Sequence, residues 1–239
     1  MLERIMSTAL PPKIDSLSGA ALLPERLVRG YEAFLATRFA REQDRFHHLA
    51  AAGQSPRIML IGCCDSRVPP EVIFDAAPGE LFVVRNIANL VPPYEPGEGL
   101  HHGVSAALEF GVMALDVQHI VVMGHAGCGG VAAFARGEAC PGHKPLSPGD
   151  FIGKWISLIG PAAARTARGG GPLEDYIEQL ALASVAQGLV NLRGFPWIAD
   201  RERQGNLRLH GAYFGIAAGT LLALDESSGR FEPVAPAAT

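Results

Sequence analysis

Three side chains in this sequence are of the types and at the places needed to share one metal ion. Cys63 follows the compact apolar run Arg57-Ile58-Met59-Leu60-Ile61-Gly62, and His125 follows a second such run, His119-Ile120-Val121-Val122-Met123-Gly124. Cys128 comes three residues after His125 inside Gly124-His125-Ala126-Gly127-Cys128-Gly129-Gly130, where the glycines let the chain turn tightly enough for both side chains to face one point. Thiolate sulfur and imidazole nitrogen are donors that Zn2+ takes in tetrahedral geometry, and three protein ligands leave one position for water, the arrangement of a catalytic site. Taken singly, each residue has a plainer role: a cysteine as a small buried hydrophobe, a histidine as a satisfied core or surface residue. Two strand-end positions joined to an H-x-x-C turn favour the metal.

Asp65 and Arg67 follow Cys63 at alternate positions, so an extended chain would present all three to one side. Arg67 would then hold Asp65 ionised through two parallel hydrogen bonds. An ionised Asp65 can accept the hydrogen bond of a water at the metal and fix where its lone pair points. Asp65 or Ser66 could also cap a helix over residues 68–74, and the two roles are compatible.

The elements that must position these residues read as an α/β fold. Pro24 to Gly53 places Leu27, Tyr31, Phe34, Leu35, Phe39, Phe46 and Leu49 among charged residues, the pattern of a long amphipathic helix. The runs ending at Gly62 and Gly124, with Leu81-Phe82-Val83-Val84 between them, suit buried parallel strands. Val104 to Leu115 and Leu173 to Leu192 read as helices, and Leu207 to Leu224 as strand, turn and strand. Alternation of this kind implies a central, mostly parallel sheet flanked by helices, whose strand carboxyl ends form the rim where ligands bind. Residues 90–99 and 137–150, rich in proline and glycine, read as surface loops. Residues 1–23 carry no pattern and are expected to form an N-terminal arm, and residues 24–239 a single zinc-dependent catalytic domain.

Composition narrows the function classes. Of 239 residues, 48% are apolar and 18% charged, ample material for a core that needs neither disulfides nor a structural metal. The 20 basic and 24 acidic residues give a net charge of -4 with no basic run, which argues against a nucleic-acid partner. The uncharged, largely apolar stretch Gly211 to Leu224 falls short of the roughly 20 apolar residues of a membrane span. The opening ten residues include Glu3 and Arg4 and no continuous apolar segment, so they do not read as a secretory signal. Four cysteines, two of them adjacent, do not form a disulfide framework, and a cytoplasmic location is expected.

Cys63-Cys64-Asp65-Ser66-Arg67-Val68 together with the His125 to Gly130 turn resembles the signature pair of the β-class carbonic anhydrases. The likeness extends from about Pro24 to Glu226 and includes Val83-Val84-Arg85-Asn86, Leu90-Val91-Pro92-Pro93-Tyr94 and Asn191-Leu192-Arg193-Gly194-Phe195-Pro196. It implies a zinc enzyme interconverting carbon dioxide and bicarbonate, with Cys63, His125 and Cys128 as ligands and Asp65 with Arg67 as a supporting dyad. It also implies a homodimer or an assembly of dimers. By spacing, Gln54 matches the glutamine that donates its amide to bicarbonate in plant-like members, and Phe82 matches an apolar pocket residue. Phe110 stands where those members carry a tyrosine, Cys64 where a serine is usual, and Leu60 where members with a regulatory bicarbonate pocket carry tryptophan. The open-site form is therefore implied, with Asp65 free to close on zinc in acid. Carbon dioxide, small and nonpolar, needs an apolar pocket, for which Val68, Phe82 and Val91 are candidates. The remaining histidines, His47, His48, His101, His102, His119, His143 and His210, read as surface residues, and none is singled out as a proton shuttle.

Two alternatives stay open on sequence: a carbonyl sulfide or carbon disulfide hydrolase using the same site, and a non-enzymatic zinc-stabilised interaction module. A dinucleotide enzyme fits less well, because the glycine turn is G-x-x-G-x-G rather than G-x-G-x-x-G. A disulfide oxidoreductase would require C-x-x-C, which is absent.

Overall fold

The apolar runs that end at Cys63 and His125 become neighbouring parallel strands. The computed structural model describes residues 22–97, 102–137 and 148–234. Its six-stranded sheet has the order β2-β1-β3-β4-β5-β6, with β1 Ile58–Cys63, β2 Leu81–Asn86, β3 His119–His125, β4 Arg208–Gly215, β5 Thr220–Asp225 and β6 Arg230–Pro233. The first four strands are parallel and the last two antiparallel. Cys63 and His125 are the last residues of their strands rather than the first after them, because each extends the run of paired backbone by one residue.

The chain divides into two compact units, one ending at Gln54 and one beginning at Ser55. In the first, α1 (Glu25–Phe34) passes through a π-helical turn, Leu35–Phe39, into α2 (Ala40–Ala52). Phe39 and Phe46 pack as tilted rings with centroids 5.3 Å apart and Phe34 closes on both, yet none of the helical residues is buried within this unit. Leu27, Tyr31 and Leu35 stay exposed, an apolar face that its own unit does not cover.

In the second unit the helices are α3 (Pro70–Ile73), α4 (Gly103–Glu109), α5 (Gly129–Ala135), α6 (Phe151–Ile156), α7 (Gly160–Ala163), α8 (Leu173–Arg193) and α9 (Pro196–Arg203). Strand alternation splits β1 between two layers: Met59 and Ile61 join Ile120, Val122, Val185 and Leu189 in the larger core, while Leu60 faces the other side with Met123 and Ala212. Helix α8 ties that core to the ligand rim, giving Val185 and Leu189 to the former and Ile177 and Leu180 to a cluster that contains Cys63 and Cys128. Each such leucine or isoleucine contributes about 1.5–3 kcal/mol on burial. The core therefore sets the separation of the strand ends without help from a metal.

Three local expectations change. Helix α4 ends at Glu109 and continues as a π-helical turn, Phe110–Ala114, rather than as one helix to Leu115. Helix α3 starts at Pro70 with Pro69 before it, so neither Asp65 nor Ser66 caps it. Proline fits the first helical turn because its missing N–H has no partner there. Strand β6 and helix α9 were not expected, although Ser227-Ser228-Gly229 and Pro196 are a turn and a helix start. Residues 1–21 of the expected arm and 138–147 of the second loop lie outside the described residues.

Candidate active site

Beyond Cys63 the chain does not stay extended; it turns at Ser66 and Arg67. Asp65 Oδ1 accepts the backbone N–H of Arg67 at 3.0 Å, closing a local turn that brings the guanidinium back onto the carboxylate. Arg67 Nε donates to Oδ1 at 2.9 Å and its terminal nitrogen to Oδ2 at 2.7 Å, with a further bond to the Gly127 carbonyl at 3.2 Å. The dyad thus forms by a turn and not by strand alternation. Arg67's hydrogen bonds hold the Asp65 carboxyl well below the usual carboxylate range. A depressed carboxylate stabilises the fold above its unfolded pKa of about 4 and loses that contribution as acid protonates it. Asp65 is accordingly ionised throughout the neutral range.

On the neighbouring strand, Gly124 admits α8: a Cβ there would lie 2.8 Å from Val185 Cγ2. Gly127 holds φ at +64°, a left-handed turn that costs a residue with a Cβ, and it delivers Cys128 to the start of α5. His125 Nδ1 donates to the Ala126 carbonyl at 3.0 Å, which leaves the lone pair on Nε2. That Nε2 is buried with no hydrogen-bond partner. The Cys63 and Cys128 sulfurs are 4.0 Å apart, and the three ligand atoms all lie within 4.8 Å of one another. Two sulfurs bound to one tetrahedral zinc stand about 3.8 Å apart. The spacing, the donor types and the orphaned nitrogen all fit that ion, and among the described residues no other group of three or more such ligands occurs.

The electrostatics of the trio agree. Cys128, as hydrogen-bond donor, brings Cys63 down to about 4 against the opposing effect of burial. The same contact, with burial, drives Cys128 up. Burial alone would lower His125, but the neighbouring Cys63 sulfur leaves it raised. Without a cation the site therefore carries one thiolate, one thiol and a histidine inclined to hold its proton. A divalent ion would release those protons and allow both sulfurs to be anionic.

Two residues on β2, quoted above only within a motif, shape the floor of this site. Arg85 donates from Nε to the Cys63 carbonyl at 2.8 Å and from a terminal nitrogen to the Asp65 carbonyl at 2.7 Å. Asn86 bonds both the N–H and the C=O of Leu90 through its side chain, pinning a bend in which Ala88 and Asn89 hold positive φ of +62° and +48°. Ala88 is fully buried among the ligands, and its backbone N–H helps to lower the Cys63 thiol. The signal was available: polar residues ending a strand beside β1 at the carboxyl rim. We expect Arg85→Gln to keep a full equivalent of zinc while kcat falls about tenfold, since each lost charge-assisted bond is worth about 1.5–3 kcal/mol; parallel metal analysis and stopped-flow kinetics measure this, and unchanged kcat would count against the role.

Of the other candidates, Val68 is buried in the cluster that holds Cys63 and Cys128. Val91 is buried and Phe82 half-buried in the larger core, where the Phe82 ring packs at a tilt against the exposed Phe110, centroids 6.0 Å apart. Gln54 is exposed at the end of the helical unit. Cys64 is an exposed free thiol.

Residues 58–221 match the family model described as carbonic anhydrase. The chain is 38% identical over 193 residues to β carbonic anhydrase 5, chloroplastic, of Arabidopsis thaliana, covering 77% of this chain and 60% of that one. It is 37% identical over 210 residues to a carbonic anhydrase of Pseudomonas aeruginosa, covering 87% and 91%. The chain thus spans about three fifths of the length of that Arabidopsis relative. Among solved structures, β-carbonic anhydrase CcaA superposes with a TM-score of 0.76 at 32% identity over 87% of this chain and 98% of that one. One of two tetrameric β-carbonic anhydrases from Sordaria macrospora does so with 0.70 at 28% over 84% and 95%.

Proposed function

This chain belongs to the β-class carbonic anhydrases, and from that premise we propose that it is a zinc enzyme hydrating carbon dioxide to bicarbonate and a proton. The observation that carries the reading is the buried, unpartnered Nε2 of His125 beside two sulfurs 4.0 Å apart, with an ionised carboxylate, Asp65 Oδ2, 3.9 Å from that nitrogen. Cys63, His125 and Cys128 hold the metal. A zinc ion held there would lower the pKa of a water to about 7 and so make hydroxide available near neutrality.

The chain's own residues do the rest. Asp65 accepts the hydrogen bond of the attacking oxygen at Oδ2 and turns its lone pair toward carbon. Arg67 holds that carboxylate in place and cannot compete for the proton, because its guanidinium stays charged. Val68 gives an apolar wall to a substrate without charge, and Phe82 and Val91 are its proposed companions. Gln54, nine residues before Cys63, is the proposed amide donor to the oxygen on which bicarbonate's charge develops, a role resting on its spacing.

A homodimer or an assembly of dimers is part of the proposal, supported by the uncovered apolar face of α1 and by the tetrameric Sordaria proteins. Free thiols among the described cysteines support a reducing compartment, the cytoplasm. The deciding experiment is stopped-flow hydration of carbon dioxide by zinc-loaded protein, beside hydrolysis of carbonyl sulfide and carbon disulfide. Carbon dioxide should be much the fastest substrate. A much faster sulfur substrate would reassign the enzyme, and no exchange of labelled oxygen between carbon dioxide and water would leave a zinc-stabilised module.

A further inference from the structure

The sheet carries a second set of side chains of metal-ligating type, a pair of histidines, at the rim opposite the first three. His119 is the first residue of β3 and His210 the third of β4. The parallel register sets His119 against Arg208 and Val121 against His210, so both histidines stand on one face of adjacent strands. Buried Leu207 and Leu209 alternate with exposed Arg208 and His210, which fixes that face as the solvent side of β4 at this end. His119 Nδ1 lies 3.1 Å from His210 Nε2, with ring centroids 5.2 Å apart and planes inclined at 43°. Two imidazole nitrogens bound side by side to one transition-metal ion, each about 2.0–2.1 Å from it, stand about 2.8–3.4 Å apart. The two nitrogens already hold the spacing of a chelating pair, with a proton between them.

We propose that His119 and His210 form a second, exchangeable site for a divalent transition-metal ion, with solvent filling its remaining positions. Imidazole ligands select nickel, copper and zinc over magnesium and calcium. Lacking thiolates, this site holds metal less firmly than Cys63, His125 and Cys128. It is distinct from them: His119 and His125 lie six residue steps apart at the two ends of β3, about 20 Å at strand rise.

The surroundings suit a metal that comes and goes. A cavity of about 550 Å³, lined by His119, Gln118, Asn206 and Arg208 among others, opens His119 to solvent, and His210 beside it is exposed. Asp116 and Arg201 at its edge are paired with each other. Burial, His119 and Arg208 all lower the pKa of His210, against the opposing charge of Glu226, so the ring is neutral and its lone pair available at pH 7. Arg208 repels a cation and Glu226 attracts one, and Glu226 is itself held by two bonds to Arg193, which leaves the histidines as the ligands. Binding would staple β3 to β4 at this end.

The test is calorimetric titration of tag-free, zinc-loaded protein with Ni2+ at pH 7.5, with Mg2+ as control. One Ni2+ per chain should bind beyond the catalytic zinc, and Mg2+ should not. His210→Ala should weaken Ni2+ binding about a hundredfold through loss of the chelate. His119→Gln, a milder change at a half-buried position, should do the same. Both variants should keep their catalytic zinc. Absence of the extra equivalent, or uptake equal to wild type in both variants, overturns the proposal; the latter would move the bound metal to other histidines.

Discussion

Cys63→Ser protein is expected to emerge folded, nearly free of zinc, and without measurable hydration activity. Loss of a residue that merely orients a ligand already weakens zinc binding by about 10–100-fold, so loss of a ligand should cost at least the upper end of that range. The fold should survive because Cys63 ends a strand already paired on both sides, and because the cluster around it, with Val68, Leu90 and Leu180, is apolar on its own account. His125→Ala should match it in metal content and differ in one informative respect. In metal-free wild-type protein the buried Nε2 of His125 has no well-formed hydrogen bond, only the attraction of the nearby Cys63 sulfur, so it contributes little to the fold. Removing it should therefore destabilise the metal-free protein little, while abolishing the gain that zinc provides. At free zinc near a thousand times its dissociation constant that gain is about 4 kcal/mol, or about 10 °C in melting temperature for a unit of this size. Metal analysis by mass spectrometry and thermal melts with and without chelator read both quantities. A full equivalent of zinc in either variant would remove the residue from the site.

What the sequence made legible divides by range. Metal ligands could be read because each is fixed by its immediate neighbours: an apolar run places Cys63 or His125 at a strand end, and Gly127 supplies the left-handed turn to Cys128. The dyad was legible as a pair but not in its geometry. Alternation along an extended chain was the wrong mechanism, since a bond from the Arg67 N–H to Asp65 Oδ1 makes the turn. Arg85 and Asn86 were opaque for a different reason. Their partners, Cys63 O, Asp65 O and Leu90, become neighbours only once β2 pairs with β1 and the 87–89 bend folds. No periodicity encodes that. The His119 and His210 contact spans 91 residues and depends on a two-residue offset in strand register, which is equally silent in composition.

Asp65→Asn should separate chemistry from metal binding. The substitution leaves Cys63, His125 and Cys128 untouched, so a full equivalent of zinc is expected. It removes the charge whose oxygen lies 3.9 Å from His125 Nε2, and it replaces one acceptor facing Arg67 by an amide N–H. Arg67 has only donors to offer, so the bidentate pairing cannot be rebuilt, and whichever way the amide turns, one contact opposes two donors. The attacking oxygen then loses the acceptor that orients it. General acid–base and orienting groups of this kind are typically worth 10²–10⁴-fold, and kcat is expected to fall about a hundredfold or more. Carbon dioxide carries no charge, and on the proposed reading it meets apolar side chains, so KM should move little, which would mark the loss as one felt in the transition state. Arg67→Gln should give a smaller loss in the same direction, because Asp65 keeps its charge and surrenders only its anchor. Stopped-flow kinetics on both variants, normalised to bound zinc, decide the matter. An Asp65→Asn enzyme with full zinc and wild-type kcat would show that the carboxylate serves only to shape the loop.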